Sequence, residues 1–170
     1  MAGDDADFAA YLAARWPSVV RTLILLGGPP AQAEDVARDA LARCYGSWEH
    51  VRREDDVDAY VYRTVLERWR HGRRHRASVP PTVPTTEAAT VPATEAEGEE
   101  TGPVRLRRAL EAELDRLAEE PREAVVLRFV AGLDDVQVAG ALDVPLDAAR
   151  QRLSQALAEV DLDALRELDP

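Results

Sequence analysis

Two small all-α domains joined by a flexible linker are what this sequence predicts. Three observations predict them. Apolar residues recur at steps of three and four near both ends of the chain. Ala, Leu, Glu and Arg dominate the composition and favour helix, and Val falls at helical spacing instead of in alternating runs. Between the two helical stretches, Ala77 to Gly102 is rich in Pro, Thr, Ala and Glu and has no period. Such a segment cannot bury enough apolar surface to offset its ordering entropy. The 170 residues suffice for two small domains, and with 46% hydrophobic but 5% aromatic residues the cores must be built mainly from Leu, Val and Ala. The expected division is 1–78, a linker at 79–102, and 103–170.

The first module opens with Phe8, Leu12, Trp16, Val19, Leu23 and Leu26, one apolar stripe on a helix. Gly27-Gly28-Pro29-Pro30 stops it. A second helix is expected from about Ala33 to Tyr45, with Val36, Ala37, Ala40, Leu41 and Cys44 on one face. Glu34 and Asp35 suit its positive N-terminal end. A third is expected from about Asp56 to His75. Ala59, Tyr62, Val65, Leu66 and Trp69 form its inner stripe, with Arg63, Arg70 and Arg74 opposite.

The second module starts near Val104, and Leu106, Leu110, Leu114 and Leu117 mark its first helix. Pro121 fits the first turn of the next, which carries Ala124, Val125, Leu127 and Val130 and ends at Gly132. A short helix, Asp134 to Leu142, follows with Asp134 as its N-cap. Asp143-Val144-Pro145 breaks the chain tightly. The last helix begins at Leu146 and turns Ala149, Leu153, Ala156, Leu157 and Val160 inward.

Charge is spread unevenly about a net of -11. Residues 1–78 carry 12 Arg and 12 acids, 79–102 carry five acids and no base, and 103–170 carry nine Arg and 15 acids. Every base is Arg. A nucleic-acid reader is expected to be basic, so any DNA contact must be local. Cys44 is the one cysteine, which excludes an intramolecular disulfide and a cysteine-cluster zinc site. His71 and His75, four apart, share a helix face and with Cys44 or His50 could be read as zinc ligands. They lie among arginines that would repel a metal, so they are read as pH-dependent charge instead. No phosphate-cradling glycine loop and no framed carboxylate pair is present, so the chain is read as no enzyme, without cofactor or metal. No basic region followed by an apolar run opens the sequence and no stretch approaches membrane-spanning length, so a cytoplasmic protein is expected, with no membrane partner.

The functional signal is the pair of short helices flanking Asp143–Pro145. A short helix, a three-residue turn and a second amphipathic helix make a helix-turn-helix, whose second helix enters the major groove. Its outward residues here are Asp147, Ala148, Arg150, Gln151, Ser154 and Gln155, with Arg152 nearer the backbone.

The stretch from Leu106 to Leu157, LRRALEAELDRLAEEPREAVVLRFVAGLDDVQVAGALDVPLDAARQRLSQAL, resembles region four of the sigma-70 superfamily. AEDVARDALARCYGSWEHVR followed by DAYVYRTVLERWRHGRRHR resembles region two. Their order and spacing resemble the extracytoplasmic-function group of RNA polymerase sigma factors, and the DAYVYR stretch with the late basic cluster resembles its SigE-like actinobacterial branch. The resemblance implies core RNA polymerase and promoter DNA as partners, with a possible anti-sigma factor encoded elsewhere. It implies that Glu34, Asp35, Arg38, Asp39 and Leu41 meet polymerase. It assigns Tyr60, Arg63, Glu67, Arg70, Arg73, Arg74 and Arg76 to the minus-ten element, where captured single-stranded bases need cations and aromatic platforms. Gln137, Asp147, Arg150, Gln151, Arg152, Ser154 and Gln155 fall to the minus-thirty-five element. The family has Gln where this chain has Arg38 and commonly Asn near Glu67. Region four departs further: Asp147, Ala148 and Ala149 replace Gly, Thr and Val, Gln155 and Glu159 replace bases, and Gln137 replaces an acid. Lost phosphate contacts lower the salt-dependent affinity, so weak minus-thirty-five binding is expected from the protein alone, with tethering to polymerase compensating. The same losses leave open a sigma-like module that binds polymerase or a regulatory protein without promoter-specific initiation.

Overall fold

The computed structural model describes residues 2–78 and 102–161, all helix and connections, with no strand among them. In chain order the helices are α1 (Ala2–Leu25), α2 (Pro30–Gly46), α3 (Trp48–Val51), α4 (Val57–Ser78), α5 (Gly102–Arg116), α6 (Glu119–Phe129), α7 (Asp135–Leu142) and α8 (Leu146–Glu159). The expected linker lies outside the described residues except Gly102, which opens α5, and the end of the second module beyond residue 161 lies outside them too.

Local chemistry explains most boundaries. α1 runs through Pro17 despite its missing N–H, because Val19 and Leu23 are wholly buried on either side of the next turn. It ends in a Schellman motif: Gly27, at φ +95°, donates its N–H to the Ile24 carbonyl at 2.9 Å, and Gly28 donates to Leu23 at 3.0 Å. A side chain at Gly28 would also meet the Trp69 ring at 3.2 Å, so the turn sits against the core. α2 starts at Pro30, a turn earlier than expected, since Pro suits the first helical position. Glu34 and Asp35 therefore lie beyond the first turn and are not the helix-end charges that the sequence suggested. The short α3, unforeseen, seats Trp48 edge-on to Phe8 at 5.1 Å. Asp56 caps α4, accepting from the Ala59 N–H at 2.9 Å.

α4 organises the molecule. α1 and α2 pack on it from one side, and α7 lies on it from the other. Val61, Tyr62, Val65 and Leu66 are fully buried, and Trp69 nearly so. In the second module α6, α7 and α8 pack together around Leu127, Leu133, Val138, Ala149 and Leu153. Leu157 is 41% exposed, not turned inward as its spacing suggested; it lies in the last turn of α8, where no described element covers it. The buried apolar residues of both modules form one continuous cluster. Cys44 is buried in it, and burial pushes its thiol pKa up. No described helix is long and apolar enough to cross a membrane, and no group of three or more His, Cys, Asp or Glu among the described residues could hold a metal ion.

Candidate nucleic-acid interface

On α4, steps of three and four put Tyr60, Arg63, Glu67, Arg70 and Arg74 on one face. Arg63 stacks over the Tyr60 ring at 5.4 Å, a half-buried cation–aromatic pair. Glu67, Arg74 and Arg76 are exposed, and Arg63, Arg74 and Arg76 make no ion pair among the described residues. Tyr62 is buried in the core, where burial raises its phenol pKa, so it is no base platform; Trp69 is 3% exposed. Arg73 lies beside the face, over Trp69 at 5.8 Å.

The edge of this face is covered by the second module. Arg70 clasps Glu123 in a two-pronged ion pair, Nε donating to Oε1 at 2.9 Å and the terminal nitrogen to Oε2. Glu123 is 1% exposed. The hydrogen bonds that Arg70 donates to Glu123 raise the Arg70 pKa further. Arg73 reaches Glu119 at 3.3 Å. Farther along, α7 approaches α4 so closely that a Cβ at Gly140 would stand 3.1 Å from that of Ala59. Arg122 donates from Nε to the Leu25 carbonyl at 2.7 Å, which satisfies part of the α1 end. Tyr62 donates to Ser18, 2.9 Å away, and Ser18 to the Val130 carbonyl at 3.3 Å, so one hydrogen-bonded chain joins α4, α1 and the end of α6.

The helix-turn-helix is formed by α7 and α8. Asp134 caps α7, accepting from the Val136 and Gln137 N–H groups at 2.8 Å each. Gln137 returns the contact, its side-chain oxygen accepting from the Asp134 N–H at 2.9 Å, a full capping box. The Gln137 side chain is thus committed to the helix start. Asp143 adopts the left-handed conformation, φ 56°, and with Val144 closes α7 in the same Schellman pattern as α1. Pro145 then leads into α8. Asp147, Arg150, Gln151, Ser154 and Gln155 are exposed along α8. Its two cations are engaged within the module: Arg150 with Asp135 at 3.3 Å and Arg152 with Glu120 at 2.8 Å. Gln155 bonds Glu159 at 3.0 Å.

On α2, Glu34, Asp35, Arg38 and Asp39 are exposed, with Arg38 on Asp35 at 2.7 Å and Asp39 paired with Arg68 of α4. Leu41 is 2% exposed and belongs to the core; its outer edge joins Phe8, Leu12, Trp16 and Tyr45 in a shallow apolar groove between α1 and α2. The sequence reading missed Glu119, Glu123, Arg122 and Gly140. The acids at the start of α6 had an ordinary reading as helix-end charges, and nothing in a single sequence marks one of them for burial.

Residues 107–160 match the family described as Sigma-70, region 4. The chain is 29% identical to the RNA polymerase sigma-E factor of Streptomyces coelicolor, over 95% of this chain and 92% of that one. It is 28% identical to the sigma-E factor of Streptomyces avermitilis, over 95% and 91%. Among solved structures it is similar to the sigma factor RpoE in complex with the anti-sigma factor NepR from Bartonella quintana, with TM-score 0.67 and 18% identity over 95% of this chain and 96% of that one. It is also similar to CnrH in complex with the cytosolic domain of CnrY, with TM-score 0.64 and 21% identity over 99% and 93%.

Proposed function

We infer that this chain is a sigma factor of the extracytoplasmic-function group: its residues 107–160 match Sigma-70, region 4, and over nearly its whole length it is similar to sigma-E factors of Streptomyces. It directs RNA polymerase to promoters and assists the start of DNA-templated transcription. It catalyses no reaction of its own; its work is binding, and its place is the cytoplasm with the polymerase.

Residues 1–78 serve as region two, 103–170 as region four, and 79–102 as the linker. The exposed face of α2, with Glu34, Asp35, Arg38 and Asp39, docks on polymerase, with the apolar groove edged by Leu41 beside it. α4 faces the minus-ten element. Its cations neutralise the strand while Tyr60, held by Arg63, offers a stacking surface to an unpaired base. α8 faces the minus-thirty-five element through Asp147, Arg150, Gln151, Ser154 and Gln155, with Arg152 toward the backbone. An anti-sigma factor is a fitting regulatory partner, since the similar RpoE structure is a complex with the anti-sigma factor NepR.

The observation that carries this reading is the order of parts: an arginine-faced helix ahead of a capped helix-turn-helix, in a chain similar to a sigma-E factor over 95% of its length. Reconstitution with core polymerase tests it. The expected result is retention on core at moderate salt and run-off transcripts from promoters selected by sequencing the bound DNA. Retention without promoter-dependent transcripts would replace it with the module that binds polymerase alone. No retention would end it.

A further inference from the structure

Resting on the sigma-factor reading, we propose that Glu67 is a specificity residue: its carboxylate selects an unpaired guanine in the minus-ten element by accepting hydrogen bonds from the Watson–Crick edge of that base. Glu67 sits on the face of α4 that carries Tyr60, Arg63, Arg70 and Arg74. It is exposed and makes no hydrogen bond or ion pair among the described residues. Arginines surround it within about one turn, yet each is turned elsewhere. Arg63 is drawn back over the Tyr60 ring at 5.4 Å, Arg68 pairs with Asp39 of α2, and Arg70 pairs with Glu123. Both oxygens of Glu67 are therefore open to a ligand.

A carboxylate accepts hydrogen bonds and donates none. Beside a phosphate strand it is repelled unless a donor meets it, so it can favour only a base that offers donors. Guanine alone of the four bases presents two N–H donors side by side on its Watson–Crick edge, N1–H and the N2 amine. They match the two carboxylate oxygens as a guanidinium fork does. Adenine and cytosine each set a ring-nitrogen acceptor beside the amine, and thymine flanks its single N–H with two carbonyl oxygens. All three put lone pairs against the carboxylate. The base must be unpaired, since in a duplex the complementary base covers that edge. α4 supplies what an unpaired strand needs: Tyr60, beside Arg63, as a stacking surface, and the exposed Arg74 as a cation beyond Glu67. Tyr60 and Glu67 lie two turns apart, about 10.5 Å along the helix axis, or about three nucleotides of a strand rising about 3.4 Å each. The selected guanine thus stands about three nucleotides from the base on Tyr60.

The test uses the full chain assembled with core polymerase and a duplex promoter library randomised across the minus-ten element, read by sequencing the DNA retained at moderate salt. The parent is expected to enrich guanine at one position by at least about fivefold over each other base, within what one bidentate base contact discriminates. E67A, which offers no acceptor, is expected to bring that enrichment to about twofold or less and to leave the other positions as they were. On single promoters E67Q should cross the order. Relative to the parent it binds the guanine promoter more weakly and the adenine variant more tightly, because the ring acceptor of adenine then meets an amide donor. A residue with only a structural role would shift both promoters alike. The urea midpoints of both variants should match the parent's, since Glu67 is exposed and has no partner among the described residues. A parent that enriches guanine nowhere overturns the proposal. So does a guanine preference that survives E67A, or a Glu67-dependent preference for cytosine, the base that a carboxylate reads in the major groove of a closed duplex. Retention of the parent on core polymerase, measured in parallel, separates the two readings. If the parent is retained and selects promoters without such a position, the guanine assignment alone falls; if it is not retained, the sigma-factor reading falls with it.

Discussion

The two helices assigned to DNA hold their cations in opposite ways. On α4, Arg70 and Arg73 are engaged by acids of the other module, while Arg63, Arg74 and Arg76 pair with no acid among the described residues. On α8, both Arg150 and Arg152 are engaged by acids of their own module. The engaged cations of α4 are thus held across the modules, whereas those of α8 are held within one. Gln155 and Glu159, further along α8, add no cation to it.

The largest test of this difference is a stability comparison. Arg70→Ala leaves Glu123 buried without its partner and is expected to cost about 3–5 kcal/mol, read as a lower urea midpoint. Arg150→Ala breaks an exposed pair, and less than about 1 kcal/mol should be lost. If the two variants unfold alike, the contrast between a buried cross-module pair and a surface pair is lost. Next in size, Asp134→Ala removes the cap of α7 and should lower stability by about 1 kcal/mol, because two N–H groups lose their acceptor. Asp134→Asn, which keeps an acceptor oxygen, should restore most of it.

Smaller effects belong to DNA binding. Arg150→Ala should flatten the salt dependence for duplex promoter DNA in the polymerase complex by about 0.9 in log–log slope, and Arg63→Ala that for the single strand by about 0.7. If Arg150→Ala changes neither slope nor affinity, its pairing with Asp135 persists on DNA. The smallest effect concerns Cys44. Its thiol pKa is raised by burial, so the folded chain holds less thiolate than an open one at any pH near 8 to 9. Alkylation should therefore be slow in the native protein and speed up as pH rises or urea is added. Rapid native labelling at neutral pH would mean that the α2 core face opens often.

Helix existence and capping were legible along the chain because both are local. Asp134, Gly27 and Pro121 stand within a few residues of the groups that they serve. The apolar stripe of α4 foretold the burial of Tyr62, Val65, Leu66 and Trp69 for the same reason. Spacing failed where the answer depended on a neighbour. Leu157 fits the inner stripe of α8 but lies at an end that no described element covers. Arg70 shares its face with Arg63 and Arg74, and a periodic pattern has no means of separating it from them.

By itself the sequence determined seven of the eight described helices, the cap of α7 and the helix-turn-helix, since each follows from residues a turn or two apart. Tertiary structure alone decided that α7 rests on α4 and that Glu123 meets Arg70 from 53 positions away. A contact of that range depends on how closely two helices can approach, here on the missing side chain of Gly140 against Ala59, and no local pattern carries that information.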